Sequence, residues 1–173
     1  RFLIDVTSGG YGLPDLGTAL LSKKSGGIKY RPLATTGGAE SVLRLLSGDA
    51  DMGQNSASTT VAHVKTGDLI PVLIESETWP LLEAMGIPKS KALFGYSISN
   101  PSAVVGPPGL PAPIRLEIQK AVKAALDDPT VKANMEKTFE LVRFKTGTQA
   151  RAIAVAARNG YLPVLRSVGK TLK

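Results

Sequence analysis

Phe2-Leu3-Ile4-Asp5-Val6-Thr7-Ser8-Gly9-Gly10-Tyr11-Gly12-Leu13-Pro14-Asp15 is the stretch on which the fold turns. Phe2 to Val6 reads as a buried strand and Thr7 to Gly12 as a glycine-rich loop. Pro14 and Asp15 then open a helix. Proline is tolerated in a first helical turn, whose N–H groups lack partners anyway, and an early acid complements the helix dipole. The helix runs to about Lys24 with Leu16, Ala19 and Leu20 on one face, and Gly26-Gly27 ends it. A strand that passes through a short glycine-rich turn into a helix is the repeating unit of a parallel α/β sheet.

The unit recurs downstream. Ile28 to Leu33 reads as a second strand and Thr35-Thr36-Gly37-Gly38 as its loop. A helix follows from about Ala39 to Leu46, its apolar stripe formed by Val42, Leu43, Leu45 and Leu46. Ala50 to Gly53 is a short strand, Ser56 to Lys65 a helix stopped at Gly67, and Leu69 to Ile74 a further strand. That last segment is almost continuously apolar, as strands covered on both faces are. Beyond residue 100 the pattern turns helical. Ala103 to Val105 fits a strand and Pro107-Pro108-Gly109-Leu110-Pro111 a rigid turn. Helices are expected over Pro113 to Asp127, Pro129 to Thr138 and Thr148 to Val168. Asp128-Pro129 marks a helix start, with an Asp cap before proline at the first helical position.

Composition narrows the class. Hydrophobic residues at 43% and charged residues at 20% allow a folded core. No apolar run reaches the roughly 18 residues of a membrane span. The net charge of +7 favours anionic partners. The basic residues are scattered rather than gathered in a tract, and aromatics are only 5%, so no nucleic-acid partner is expected. Without cysteine there is no disulfide, thiolate nucleophile or Cys-based zinc site. The first residues are not an export signal, and any such signal is expected upstream of Arg1.

Three loops at strand ends can carry chemistry, because ligands of open α/β sheets sit at the carboxyl ends of the strands. Thr7-Ser8-Gly9-Gly10-Tyr11-Gly12 precedes a helix N-terminus, where free N–H groups and the dipole favour an anion. Thr7, Ser8 and Tyr11 add hydroxyls there, and the alternative is a plain tight turn. This loop lacks the Lys-Ser/Thr of a phosphate loop, and Asp15 stands where a dinucleotide fingerprint needs its third glycine. Thr35-Thr36-Gly37-Gly38 repeats the logic, against a simple helix cap. Gln54-Asn55-Ser56 offers amides and a hydroxyl, with Asn55 or Ser56 equally able to cap the next helix. The expected ligand-binding residues are Thr7, Ser8, Gly9, Gly10, Tyr11, Gly12, Thr36, Gly37, Gly38 and Asn55.

No catalytic or metal-binding residue and no cofactor is expected. His63, the single histidine, lies mid-helix away from any nucleophile with a partner. No second His, Cys or carboxylate cluster accompanies it to make a metal site. Glu75 and Glu77 read as solvated, Asp127-Asp128 as a helix end, and Trp79 as a packing residue.

Several motifs, in order along the chain, resemble the extracytoplasmic solute-binding receptors of the tripartite tricarboxylate transporter family. Gly37-Gly38-Ala39 followed by Leu45-Leu46-Ser47-Gly48-Asp49-Ala50-Asp51-Met52 is similar to that family's Gly-small-Ala, Leu-Leu-Gly-Gly and Val-Asp-Met run. Lys65-Thr66-Gly67-Asp68-Leu69 resembles its basic, Ala-Gly-Lys-Leu passage. Pro80 to Pro88 resembles its Pro-Thr-Leu-x-Glu-Ala-Gly-hydrophobic-Pro motif. Phe94-Gly95-Tyr96, then Val105 to Ile114, resemble its aromatic-Gly and Ala-Pro-Ala-Gly-Thr-Pro-Ala-Pro-Ile signature, and Leu126 to Val131 its Leu-x-Asp-Pro-x-Val. There are departures. Asp15 stands at the family's loop His, Thr35-Thr36 replaces Tyr-Lys, and Gln54-Asn55 replaces Phe-Asp. A lost lysine weakens the attraction for an anion and leaves the ligand open.

The resemblance implies a type II periplasmic-binding-protein-like α/β lobe with a parallel-dominated sheet and C-terminal helices. Residues 1–100 would form the ligand-binding second lobe. Residues 101–173 would cross back to pack on a first lobe that is missing or incomplete here. Leu116, Ile118, Val122 and Leu126 would otherwise be exposed, or be covered in a homo-oligomer. It further implies a bacterial periplasmic location, capture of a di-, tri- or aromatic carboxylate, delivery to membrane transport subunits, and no enzymatic activity. Two other classes compete: an effector-binding domain of a transcription regulator, and an enzyme acting on an anionic metabolite. The second lacks a base or nucleophile with a named partner.

Overall fold

The structure is a computed structural model that describes residues 2–7, 12–98, 102–137 and 139–167. Its contacts divide the chain into two units, residues 1–100 with 161–173, and residues 101–160.

The first unit is built on a parallel sheet. Strand β1 (Leu3–Thr7) lies between β2 (Tyr30–Ala34) and β3 (Met52–Gly53). Leu3 faces Tyr30 and Thr7 faces Ala34 on one side, and Asp5 faces Met52 on the other. Asp51 closes the β3 side: its N–H donates to the Ile4 carbonyl (2.9 Å), and its carboxylate accepts the Ile4 N–H (2.8 Å). Gly53 permits this pairing, because a Cβ there would overlap the Val6 side chain. Pro32 sits in β2, an edge strand, where a missing ladder donor is tolerated.

Helix α1 (Leu13–Lys24) follows β1, α2 (Gly38–Leu46) follows β2 and α3 (Ala57–Thr66) follows β3. The alternation read from the sequence is therefore present. Leu16, Ala19 and Leu20 form the buried face of α1 as expected. Leu16 and Leu20 pack with Tyr96 and Ile98, and Leu13, Phe94, Tyr161, Val164 and Leu165 cover that cluster. A second cluster joins Val64, Ile74 and Leu82, with Leu69, Trp79 and Ile87 around it. Trp79 is thus a packing residue. Short helices α4 (Pro80–Ala84) and α5 (Ser90–Phe94), not anticipated from the sequence, fill the segment after the second cluster's Ile74.

Two expected strands are absent among the described residues. Leu69 to Ile74 makes only an isolated bridge, Ile74 to Lys89. Pro71 lacks an N–H, the Leu69 N–H donates to His63, and the Ile74 N–H donates to Pro88, so no ladder to β3 can form. Ile70 and Val72 stand in solvent at 83% and 75% exposure. An apolar run is a strand only if a neighbour supplies hydrogen bonds, and here the neighbouring loop takes them. Ala103 to Val105 likewise has no ladder, and Val104 and Val105 are exposed.

The second unit is helical. It holds α6 (Ala112–Asp127), α7 (Pro129–Lys137) and the start of α8 (Gly147–Ser167). The Asp128 carboxylate accepts the N–H groups of Thr130 and Val131 at 2.7 and 3.1 Å, the cap expected before Pro129. Gln119 accepts the Gly147 N–H at 2.8 Å and so ties α6 to the start of α8. The expected ends Thr138 and Val168 lie outside the described residues. Near the end of α8, Tyr161, Val164 and Leu165 lie on the α1 cluster of the first unit. Their i, i+3, i+4 spacing presents one apolar stripe to it.

No helix among the described residues is long and apolar enough to cross a membrane.

Candidate functional site

The carboxyl ends of β1, β2 and β3 surround a hollow of about 170 Å³. Val6 and Thr7 from β1, Pro14 from α1, Thr35 and Gly37 from the second loop, Gly38 and Ser41 from α2, and Gln54, Asn55 and Ser56 from the third loop line it. The volume is below the roughly 300–1,000 Å³ of pockets for drug-sized ligands, so it suits a small molecule or one end of a larger one.

Four polar atoms around this hollow are buried and have no hydrogen-bond partner: Thr7 Oγ1, Ser41 Oγ, Gln54 Oε1 and Asn55 Nδ2. Thr7 and Ser41 are 3% and 5% exposed, so solvent does not satisfy their hydroxyls. Leaving such groups unpaired costs about 1–3 kcal/mol each. Their convergence on one concavity, at strand ends, is the arrangement of a site that a polar ligand completes.

Backbone donors add to it. Gly37 is the cap residue before α2, and no described residue accepts the N–H of Gly37 or Gly38. The α2 N-terminus therefore presents free amide hydrogens and the positive end of its dipole beside the two buried hydroxyls. No charged side chain lines the hollow among the described residues. An anion there would be held by N–H and O–H donors rather than by an ion pair.

The fate of the sequence-expected residues differs. Thr7, Gly37, Gly38 and Asn55 all line the hollow. Thr7 is the last residue of β1 rather than the first of a loop. Ser8, Gly9, Gly10 and Tyr11 lie outside the described residues. Gly12 and Thr36 are occupied otherwise than expected. The Gly12 N–H donates to the Asp15 carboxylate at 2.9 Å. The N–H and hydroxyl of Thr36 both donate to Glu40 Oε2 at 2.8 Å. These are reach-back caps, in which an acid in the first turn satisfies a donor ahead of its own helix. Those Thr36 donors hold the Glu40 carboxyl below its ordinary value, and Arg44 helps. Both donors of Thr35 go to the Thr7 carbonyl, which locks the ends of β1 and β2 together.

Sequence reasoning passed over Ser41 and did not select Gln54. Ser41 gave a faint signal, as a polar residue in the first turns of a helix after a Gly-Gly loop.

Asp5 lies two residues before Thr7 and therefore on the same face of β1. It is fully buried, with the Thr18 hydroxyl beside its carboxylate. Burial pushes its pKa up to about 7; the Thr18 hydroxyl offsets part of this, and the charges of Asp15 and Glu75 add to it. Burial also raises Glu75, against the hydrogen bond its Oε1 accepts from the Tyr96 hydroxyl at 2.6 Å. Tyr30 is raised by burial and by the Asp5 and Asp15 charges.

No protein-family model and no curated protein sequence matches the chain. Solved structures do. Rpa4515 of R. palustris, a structure with adipate, superposes with a TM-score of 0.84 at 17% identity, over 98% of this chain and 56% of that one. A TctC solute binding protein from Polaromonas, with no ligand, superposes with a TM-score of 0.74 at 17% identity, over 96% of this chain and 57% of that one. The chain spans a little over half the length of these proteins and has, across nearly all of its own length, the α/β periplasmic-binding-protein-like fold expected from its sequence.

Proposed function

We propose that this chain is the ligand-binding part of an extracytoplasmic receptor of the tripartite tricarboxylate transporter type, and that it captures a small organic carboxylate in the strand-end hollow. The observation that carries the reading is the set of partnerless buried groups, Thr7 Oγ1, Ser41 Oγ and Asn55 Nδ2, beside the free N–H groups of Gly37 and Gly38. Each can donate a hydrogen bond to a carboxylate oxygen, and such charge-assisted bonds are the strong ones. The adipate of the Rpa4515 structure supports the ligand class, and the solute-binding role of the Polaromonas protein supports receptor over enzyme. Among the described residues, the hydroxyls around the hollow have no His, Lys or carboxylate beside them in its lining to act as a base. Delivery to membrane subunits, a periplasmic location and closure of a further lobe over the hollow belong to the same proposal.

Calorimetry with a panel of four- to six-carbon carboxylic acids tests it. Thr7→Val and Ser41→Ala keep the shape and remove the hydroxyls. Each is expected to weaken binding about 10-fold or more, as for hydrogen bonds to a charged group. The melting temperature of the ligand-free protein should hold or rise, because those hydroxyls are unpaired there. Affinities unmoved by both variants would sink the assignment of this site.

A further inference from the structure

The walls of the hollow ask for more than a carboxylate. Asn55 Nδ2 and the Gly37 and Gly38 N–H groups need acceptors, and the hydroxyls of Thr7 and Ser41 can serve as donor or acceptor. Gln54 Oε1 is different. It is buried, it has no partner, and it can only accept. A plain carboxylate brings acceptors alone and would leave this oxygen buried and unpaired.

The position of Gln54 is built into the fold. Its side-chain amide occupies the space over Gly17, on the buried side of α1, where a Cβ would collide with Oε1, Cδ and Nε2. Gly17 thus lets the amide lie against the helix at the rim of the hollow. With no acidic side chain among the described residues of the lining, a buried ammonium opposite Gln54 would lack a counter-charge. A neutral hydroxyl needs none.

We propose that Gln54, seated on Gly17, is the specificity-determining residue of the hollow, accepting a hydrogen bond from a hydroxyl on the ligand, so that the site selects hydroxycarboxylates over the corresponding plain acids. This rests on the carboxylate-binding reading above. It also sets the chain apart from the Rpa4515 structure, whose adipate carries no hydroxyl.

The test is calorimetry on the full chain with acids paired by one hydroxyl: malate against succinate, and 2-hydroxyglutarate against glutarate. The hydroxy acid of at least one pair should bind about 5- to 100-fold more tightly, the range expected when a buried acceptor is otherwise left unpaired. Gln54→Leu removes the side-chain amide and should bring that ratio to within about twofold, whatever it does to the affinity for the plain acid. Gln54→Glu keeps an acceptor and should keep the ratio, although its charge weakens every acid. Gly17→Ala, which displaces the amide, should erode the ratio as Gln54→Leu does. Acids that bind with no preference for the hydroxyl, or a preference that survives Gln54→Leu, overturn the role of Gln54 and leave the carboxylate reading standing. Failure of every acid to bind the unaltered chain overturns both.

Discussion

Asp5→Asn should stabilise the protein, and more so as the pH rises. The carboxyl is fully buried, and its pKa stands at about 7 in the folded chain against a reference value of 3.8, burial outweighing the Thr18 hydroxyl. Because the folded value lies above the unfolded one, the native state holds this proton more tightly between the two. Stability therefore falls as pH climbs from about 4 to about 7 and is level beyond. The interval of roughly three pKa units corresponds to about 4 kcal/mol, of which about 3 kcal/mol lie between pH 4.5 and pH 8. The charges of Asp15 and Glu75 contribute to that interval. Asparagine has nearly the same shape and no charge to bury. The difference in melting temperature between Asp5→Asn and the unaltered protein should be small near pH 4.5. It should grow to about 6–12 °C at pH 8, from the usual shift per kcal/mol for a chain of this length. Thermal unfolding followed by circular dichroism across that range is the assay. A difference that is flat with pH, or a variant less stable at pH 8, would refute the picture of a carboxylate penalised by burial beneath the hollow.

Thr36→Val should leave carboxylate affinity within about twofold and lower the melting temperature slightly, since its hydroxyl donates to the exposed Glu40 carboxylate at the start of α2; a large loss of affinity would return Thr36 to the site. Gly53→Ala should destabilise by about 1–3 kcal/mol in urea unfolding, because its Cβ would overlap Val6 across the β1–β3 pair; a neutral result would mean β3 has room that the structure denies it. Tyr96→Phe removes the donor to Glu75 and should cost about 1–2 kcal/mol at pH 8 and less at pH 4. The burial-raised Glu75 is protonated at the lower pH and no longer needs a charge-stabilising partner there, so equal losses at the two values would contradict it.

The strand-helix alternation of β1 to α3, the buried face of α1 and the Asp128 cap were legible in the sequence, as were the strand-end loops that line the hollow. Each is governed by neighbours within a few residues: the helical period of Leu16, Ala19 and Leu20, a proline after an aspartate, glycines after an apolar run. Such signals survive without knowledge of the rest of the chain.

Contacts between distant residues were not legible in that way. Whether Leu69 to Ile74 becomes a strand depends on who receives its backbone hydrogen bonds, and the 88–90 loop takes them at Ile74. Whether a threonine in a Thr-Thr-Gly-Gly loop serves a ligand depends on which acceptor reaches it first. Thr36 finds Glu40 one turn into α2, and Thr35 finds the Thr7 carbonyl on another strand. Local pattern marks Ser41 and Gln54 only faintly, and they meet because β1, α2 and the third loop converge on one hollow. Local chemistry named the ends of the strands as the place to look. The three-dimensional packing of elements decided which side chains there are left unsatisfied, because a hydrogen-bonding group's availability is set by everything within about 3 Å of it, and the order of residues along the chain does not determine that.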